Sequence, residues 1–185
     1  MLARSEISKR IEAGDIVWNG DTRGNGLLLR LGAVLQPLVS ATPSGIVDLS
    51  DQDSISRLYE PVIRDWDDFL LIPGRLVLCQ ADEPLQLGND LAAVIGTLSH
   101  LARTGFGTHV DSPWVLPGWN GYLTLELHNR GPVPLRIQRA MPVARLLLIN
   151  VEGRVTATSP HPFYGASGHL DSRYAEEFPV HEYRR

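Results

Sequence analysis

The chain has one cysteine, Cys79, in 185 residues. It therefore cannot form an intramolecular disulfide or a multi-cysteine zinc site, and it fits a reducing cytosol. Lysine is almost as scarce: Lys9 stands alone against sixteen arginines. Any anion held inside the fold is therefore expected to meet Arg or backbone N–H groups. No apolar run reaches the roughly 18 residues that a membrane span requires. The opening stretch "MLARSEISKRIEAGD" is polar and charged, so neither a signal peptide nor a membrane partner is expected. A surplus of basic charge is missing too. The net charge of −4 argues against general nucleic-acid binding and leaves room for a small anion held by a few local cations.

Hydrophobic residues make up 43% of the chain, enough for one domain with a real core over residues 1–185. "RSEISKRIEAGDI" reads as a short N-terminal helix: Ser5 can cap it, Ile7 and Ile11 share a face, and Gly14 can end it. "NGLLLRLGAVL" reads as a buried strand. Residues 48–68 are acidic and irregular, which predicts a surface excursion. Short apolar segments follow, "FLLIPGRLVLCQA", "LAAVIGTL", "GYLTLELHN" and "LRIQRAMPVARLLLINV", separated by Gly and Pro turns. Many short strands with little helix predict an all-β distorted barrel or jelly roll. From about residue 159 the chain is rich in Gly, Pro, His and Tyr and reads as an extended arm.

In "GWNGYLTLELHN", Leu123, Leu125 and Leu127 fall on one face of a strand, and Tyr122, Thr124, Glu126 and His128 on the other. A central carboxylate is ordinary if that face meets water and informative if it lines a cleft. "SHLARTG" breaks the strand pattern as one or two helical turns, with Ser99 and Arg103 four apart on one face. That pair suits a polar-ligand site, and equally a capping Ser beside a solvated Arg. His109 and His128 lack a third ligand at convincing spacing, so core or rim positions are expected for them, with no metal site. Trp114, Trp119 and Tyr122 are expected in core or subunit-interface packing.

Placed side by side, "DLAAVIGTLSHLARTG", "THVDSPWVLPGWNG" and "YLTLELHN" resemble three successive stretches of the deoxycytidine triphosphate (dCTP) deaminase family, which shares its fold with dUTPase. Those stretches are D-L-x-A-x-x-x-G-[RK]-S-S-L-A-R-x-G, then H-V-T-A-x-x-I-D-P-G-[WF]-x-G, then L-E-x-x-N. "LLLRLG", "LLIPGRLVL" and "ISKRIEAGDI" match further family segments in the same order. The resemblance covers nearly the whole chain outside residues 48–68. It implies a dUTPase-like barrel, a cytoplasmic homotrimer with sites at subunit interfaces, and hydrolysis of dCTP to dUTP and ammonia. Glu126 is implied as the base, taking a proton from water as it attacks C4 of cytosine. Ser99 and Arg103 are implied to orient water, base and phosphate. His100, Ala102, Ser112, Thr124, Leu125, Tyr164 and Arg173 are implied substrate contacts. Mg²⁺ is implied only through the nucleotide phosphates, and zinc is not: the zinc deaminases use an H-x-E…P-C-x-x-C pattern that a single cysteine cannot supply.

Four positions depart from the family pattern. Leu98 replaces a phosphate-binding cation, His100 a second Ser, Leu116 the Asp that meets the sugar, and Glu177 a phosphate-binding Gln. A charge-assisted hydrogen bond is worth roughly 1.5–3 kcal/mol. Losing two predicts weak triphosphate binding. Two function classes follow: a cytosine-nucleotide deaminase, or a homologue that keeps the fold with altered specificity or no activity. A dUTPase-like phosphohydrolase is less favoured, because Leu116 removes the Asp such chemistry would use.

Overall fold

A computed structural model describes residues 1–39, 45–153 and 170–179. Helix α1 (Arg4–Glu12) leads into β1 (Ile16–Trp18) and β2 (Leu27–Pro37). After α2 (Gln52–Ser56) come β3 (Ile63–Arg64), β4 (Asp68–Leu71), β5 (Leu76–Leu87) and β6 (Leu91–Thr97). Helix α3 (Ser99–Ala102) precedes β7 (Phe106–Gly107), β8 (Trp114–Val115) and β9 (Asn120–Asn129). The remaining elements are β10 (Leu135–Gln138), β11 (Pro142–Asn150) and α4 (Tyr174–Glu177).

Nine strands form one curled half-barrel in the order β7-β9-β5-β2-β11-β6-β8, with β1 added beside β5 and β3 beside β2; β10 and β4 pair separately. The expected all-β barrel is thus observed. Strand β2 is buried on both faces, which explains why its leucines do not alternate with polar residues. Its Leu27, Leu29, Leu31 and Leu35 have no exposed surface and share the core with Leu146 and Leu148 of β11. Burying each such side chain contributes roughly 1.5–3 kcal/mol.

The N-terminal helix forms as predicted, with Ile7 buried and Ile11 packed against the core. Its cap differs. Ala3 occupies the N-cap without a side-chain bond, and Ser5 lies inside the first turn. Gly14 follows the helix at φ 79°, a conformation that costs glycine least.

The 48–68 segment is more than a surface excursion. Ile55 and Trp66 are buried, and the Trp66 indole N–H donates to the Gly32 carbonyl at 3.0 Å. A large apolar ring with a satisfied N–H pins the segment to β2. Most of the expected C-terminal arm, including Tyr164, lies outside the described residues. Residues 170–179 pack back on the body, with α4 beside α2.

Candidate active site

Strand β9 alternates as its sequence demands. Leu123, Leu125 and Leu127 are buried, while Tyr122, Thr124, Glu126 and His128 are half-buried on the other face. That second face meets a cleft of about 870 Å³, into which Thr124 and Glu126 project. A neighbouring segment fixes Glu126 at two points, one on its backbone and one on its carboxylate. The Glu126 N–H donates to the Thr108 carbonyl at 3.0 Å, and Glu126 Oε2 accepts from the Val110 N–H at 2.7 Å. Thr108 is itself fully buried. Its N–H donates to Thr97 Oγ1 at 3.0 Å, and the two hydroxyls lie 2.9 Å apart. Polar groups sequestered this way must be paired, so residues 108–110 cannot slide along β9. Among the described residues, Glu126 Oε1 accepts no hydrogen bond, which leaves one oxygen for a ligand.

Around Glu126 the cleft is largely apolar, with Trp114, Leu116 and Trp119 in its lining. Trp114 is 64% exposed and so is no core residue of this chain. Trp119 is half-buried, and its indole N–H donates to the Gly121 carbonyl at 3.1 Å. Asp111 and Asp171 add two carboxylates, and no Lys, Arg or His is among the described lining residues. Tyr59, from the 48–68 segment, also lines the cleft. Burial pushes its phenol above the usual range; the bond from Ser172 acts against this, and the charges of Asp171 and Glu126 add to it.

Helix α3 lies elsewhere. Ser99, His100, Ala102 and Arg103 are exposed, and none of them lines the Glu126 cleft. Leu98, not Ser99, is the N-cap, so Ser99 is no capping residue. Gly105, at φ 86°, closes the turn. A Cβ there would lie 2.4 Å from the Gly131 nitrogen, so only glycine permits this docking of the α3 loop on the end of β9. Arg103 makes no ion pair among the described residues.

One chain therefore unites Ser112, Thr124 and Glu126 in the cleft and separates them from Ser99, His100, Ala102 and Arg103. The Leu125 side chain points into the core with no exposed surface, because the period of the strand sends it away from Glu126, so a contact with a ligand in the cleft would have to be made by its backbone. Arg173 is half-buried beside the cleft residues Asp171 and Ser172, with its guanidinium on Glu176 at 2.9 Å.

His109 and His128 are half-buried, as expected for rim positions. Burial holds the His128 imidazole below its usual range; its contact with the Glu126 carbonyl acts against this, and the nearby positive charge of Arg130 adds to it. Among the described residues no three His, Cys, Asp or Glu side chains are grouped to hold a metal ion. The cleft residues that motif reading missed are Tyr59, Asp171 and Ser172. They come from segments without a motif, and no local pattern marks them.

The dCTP deaminase-like family profile matches residues 1–151. A "dCTP deaminase, dUMP-forming" of Nocardioides sp. is 28% identical over 178 residues, which is 94% of this chain and 89% of that one. A protein of the same name from Streptomyces coelicolor is 34% identical over 124 residues, 67% of this chain and 61% of its own length. Among solved structures, a 2′-deoxycytidine 5′-triphosphate deaminase from Agrobacterium tumefaciens superposes with TM-score 0.60 at 20% identity. It covers 80% of this chain, which spans 45% of that longer one. A native EIAV dUTPase superposes with TM-score 0.50 at 10% identity, over 80% of this chain and 98% of the other. These two likenesses speak for the fold alone.

Proposed function

The chain belongs to the dCTP deaminase-like family, and from that premise we propose that it hydrolyses the 4-amino group of a cytosine deoxynucleotide. The observation that carries this reading is Glu126. It is a half-buried carboxylate at the centre of β9, with one oxygen fixed by the Val110 N–H and the other open to a mostly apolar cleft. In the proposed reaction Glu126 takes a proton from water as the water oxygen bonds to C4. It passes protons to N3 and to the amine, the C4–N bond breaks, and dUTP and ammonia leave. Ser112 and Thr124 line the pocket around the base.

The remaining parts come from a second copy of the chain. Ser99, at the start of the exposed α3, and Arg103, its C-cap, lie away from the cleft of their own protomer. A cytoplasmic homotrimer with its sites at the subunit interfaces would bring them to a neighbour's Glu126, together with His100 and Ala102, while Arg173 follows the wall residues Asp171 and Ser172 of its own chain's cleft. Exposed Trp114 and Leu116 at the cleft supply apolar surface for such an interface. Mg²⁺ enters on the nucleotide phosphates rather than in a protein cage.

The relatives' name, dUMP-forming, adds a second hydrolysis in those proteins. Here Leu116 presents hydrocarbon to the cleft where that chemistry would use a carboxylate, which favours deamination alone. Leu98, Leu116 and Glu177 together favour the second reading, a homologue with altered specificity or no activity. Cytosine compounds from nucleoside to triphosphate, assayed for ammonia and pyrophosphate with and without Mg²⁺, separate these readings. The expected result is ammonia from dCTP with little pyrophosphate. Ammonia from none of them would leave the silent homologue. Light scattering should give three times the 20.4 kDa chain mass, and a monomer at micromolar concentration would remove the shared site.

A further inference from the structure

Asp171 lines the same cleft as Glu126, and the residues on both sides of it are fixed. The Leu170 side chain is buried with Val34 and Leu78. The Ser172 N–H donates to the Tyr59 hydroxyl at 3.0 Å, and the Gln52 side-chain amide donates to the Ser172 carbonyl at 2.8 Å. Gln52 and Tyr59 both belong to the 48–68 segment, which lies outside the motif matches. The chain thus uses its extra segment to hold residues 170–172 as a wall of the cleft.

The Asp171 carboxylate accepts no hydrogen bond and makes no ion pair among the described residues. The nearby cation, Arg173, is engaged by Glu176 at 2.9 Å. A carboxylate offers only acceptors. Beside Glu126 and Asp111, with no cation among the described lining residues, it repels phosphate and is satisfied by a neutral hydroxyl. A 5′-phosphorylated 2′-deoxynucleotide has one sugar hydroxyl, at C3′. Leu116, in the same lining, offers it nothing.

We infer that Asp171 is a specificity-determining residue that accepts the 3′-hydroxyl of the bound deoxynucleotide, with Tyr59 and Gln52 as its positioning residues. The inference rests on the cytosine-nucleotide reading of the cleft.

The test is calorimetric titration of wild type, Asp171→Ala, Asp171→Asn and Tyr59→Phe with dCTP and with 2′,3′-dideoxy-CTP, which lacks that hydroxyl. Wild type should bind dCTP about 10- to 100-fold tighter than the dideoxy compound, the span of a hydrogen bond to a charged group. Asp171→Ala should bring the two within about 3-fold. Asp171→Asn keeps an acceptor oxygen without the charge and should fall between. Tyr59→Phe leaves the carboxylate in place and frees its wall, so discrimination should drop part of the way, which loss of stability alone would not cause. Undiminished discrimination in both Asp171 variants overturns the inference, and so does equal binding of the two nucleotides by wild type. Ammonia release from dCTP is scored separately. Discrimination without ammonia refutes the deaminase and leaves the sugar contact standing, whereas binding of neither nucleotide refutes both.

Discussion

Asn129 ends the strand that carries Glu126, and its replacement has a calculable cost. The residue is 1% exposed. Its amide N–H groups donate to the Leu71 carbonyl at 2.9 Å and to the Val133 carbonyl at 2.8 Å, and its Oδ1 accepts from the Gly131 N–H at 2.8 Å. Two carbonyls and one N–H surround the side chain, so neither leucine nor aspartate can satisfy all three. Each bond contributes about 1 kcal/mol net, and partners left buried and unpaired add to the loss. Asn129→Ala should therefore cost about 3–5 kcal/mol. With a urea slope of about 2 kcal/mol/M, the unfolding midpoint should fall by about 1.5–2.5 M. Asn129→Asp sharpens the test. It keeps the acceptor for Gly131 and turns a second acceptor on the two carbonyls, so the site favours the protonated acid and raises the folded-state pKa above the unfolded one. Stability is then present at low pH and lost as pH rises. The Asp variant should be much weaker than wild type at pH 7.5 and recover part of the deficit at pH 5, whereas the deficit of the Ala variant should not follow pH in this way. An Ala variant within about 1 kcal/mol of wild type, or an Asp deficit that ignores pH, would refute the reasoning.

Glu126→Gln keeps the shape and loses the proton acceptor, so ammonia release should fall by about 10²–10⁴-fold with nucleotide binding largely retained; a tenth of the rate surviving would exclude a general-base role. Burial lowers the His128 imidazole in the fold, so as pH drops through its unfolded value near 6.5 only the unfolded chain gains that proton and stability declines. His128→Gln should flatten melting temperature between pH 7.5 and 5.5, and an unchanged slope would count against this. Burial pushes the Cys79 thiol up to about 12, so native protein should resist iodoacetamide at pH 8 and react only when unfolded; alkylation of the folded protein at the rate of a free thiol would refute that.

The strand carrying Glu126 was legible because a period of two admits one solution once its leucines face the core, and burial of Leu123, Leu125 and Leu127 follows that period. The same alternation turns the Leu125 side chain away from Glu126, so as a substrate contact Leu125 has only its backbone to offer. Ser99 and Arg103 were legible as local helix, but no local pattern states which cleft a short helix serves; β6 and β7 decide that. Tyr59 was beyond reach for a related reason. Its partner Ser172 lies 113 residues away, and an acidic, irregular stretch carries no periodicity from which such a contact could be read. Trp66 shows the same limit, because its anchor to Gly32 crosses 34 residues.

The charges on the two surfaces fit the proposed division of the site. A phosphate charge about 4 Å from a carboxylate is repelled by about 4 kcal/mol at an effective dielectric constant of 20. The cleft presents Glu126, Asp111 and Asp171 and, among its described lining residues, no cation, so a triphosphate cannot lie along it unaided. The exposed α3 surface has the opposite character: Arg103 makes no ion pair among the described residues, and His100 is exposed beside it. A cytosine nucleotide has the same polarity, with a neutral base and sugar at one end and several negative charges at the other. The proposed trimer matches both ends, with the base against Glu126 of one chain and the phosphates against the α3 turn of another. Leu98 weakens the second half by removing a cation that the family pattern supplies there, so the remaining attraction rests on exposed charges, which salt screens over about 10 Å at 0.1 M. In the proposed trimer, then, the cleft selects base and sugar by shape and by hydrogen bonds from neutral donors to its carboxylates, while affinity for the phosphates depends on assembly and on ionic strength.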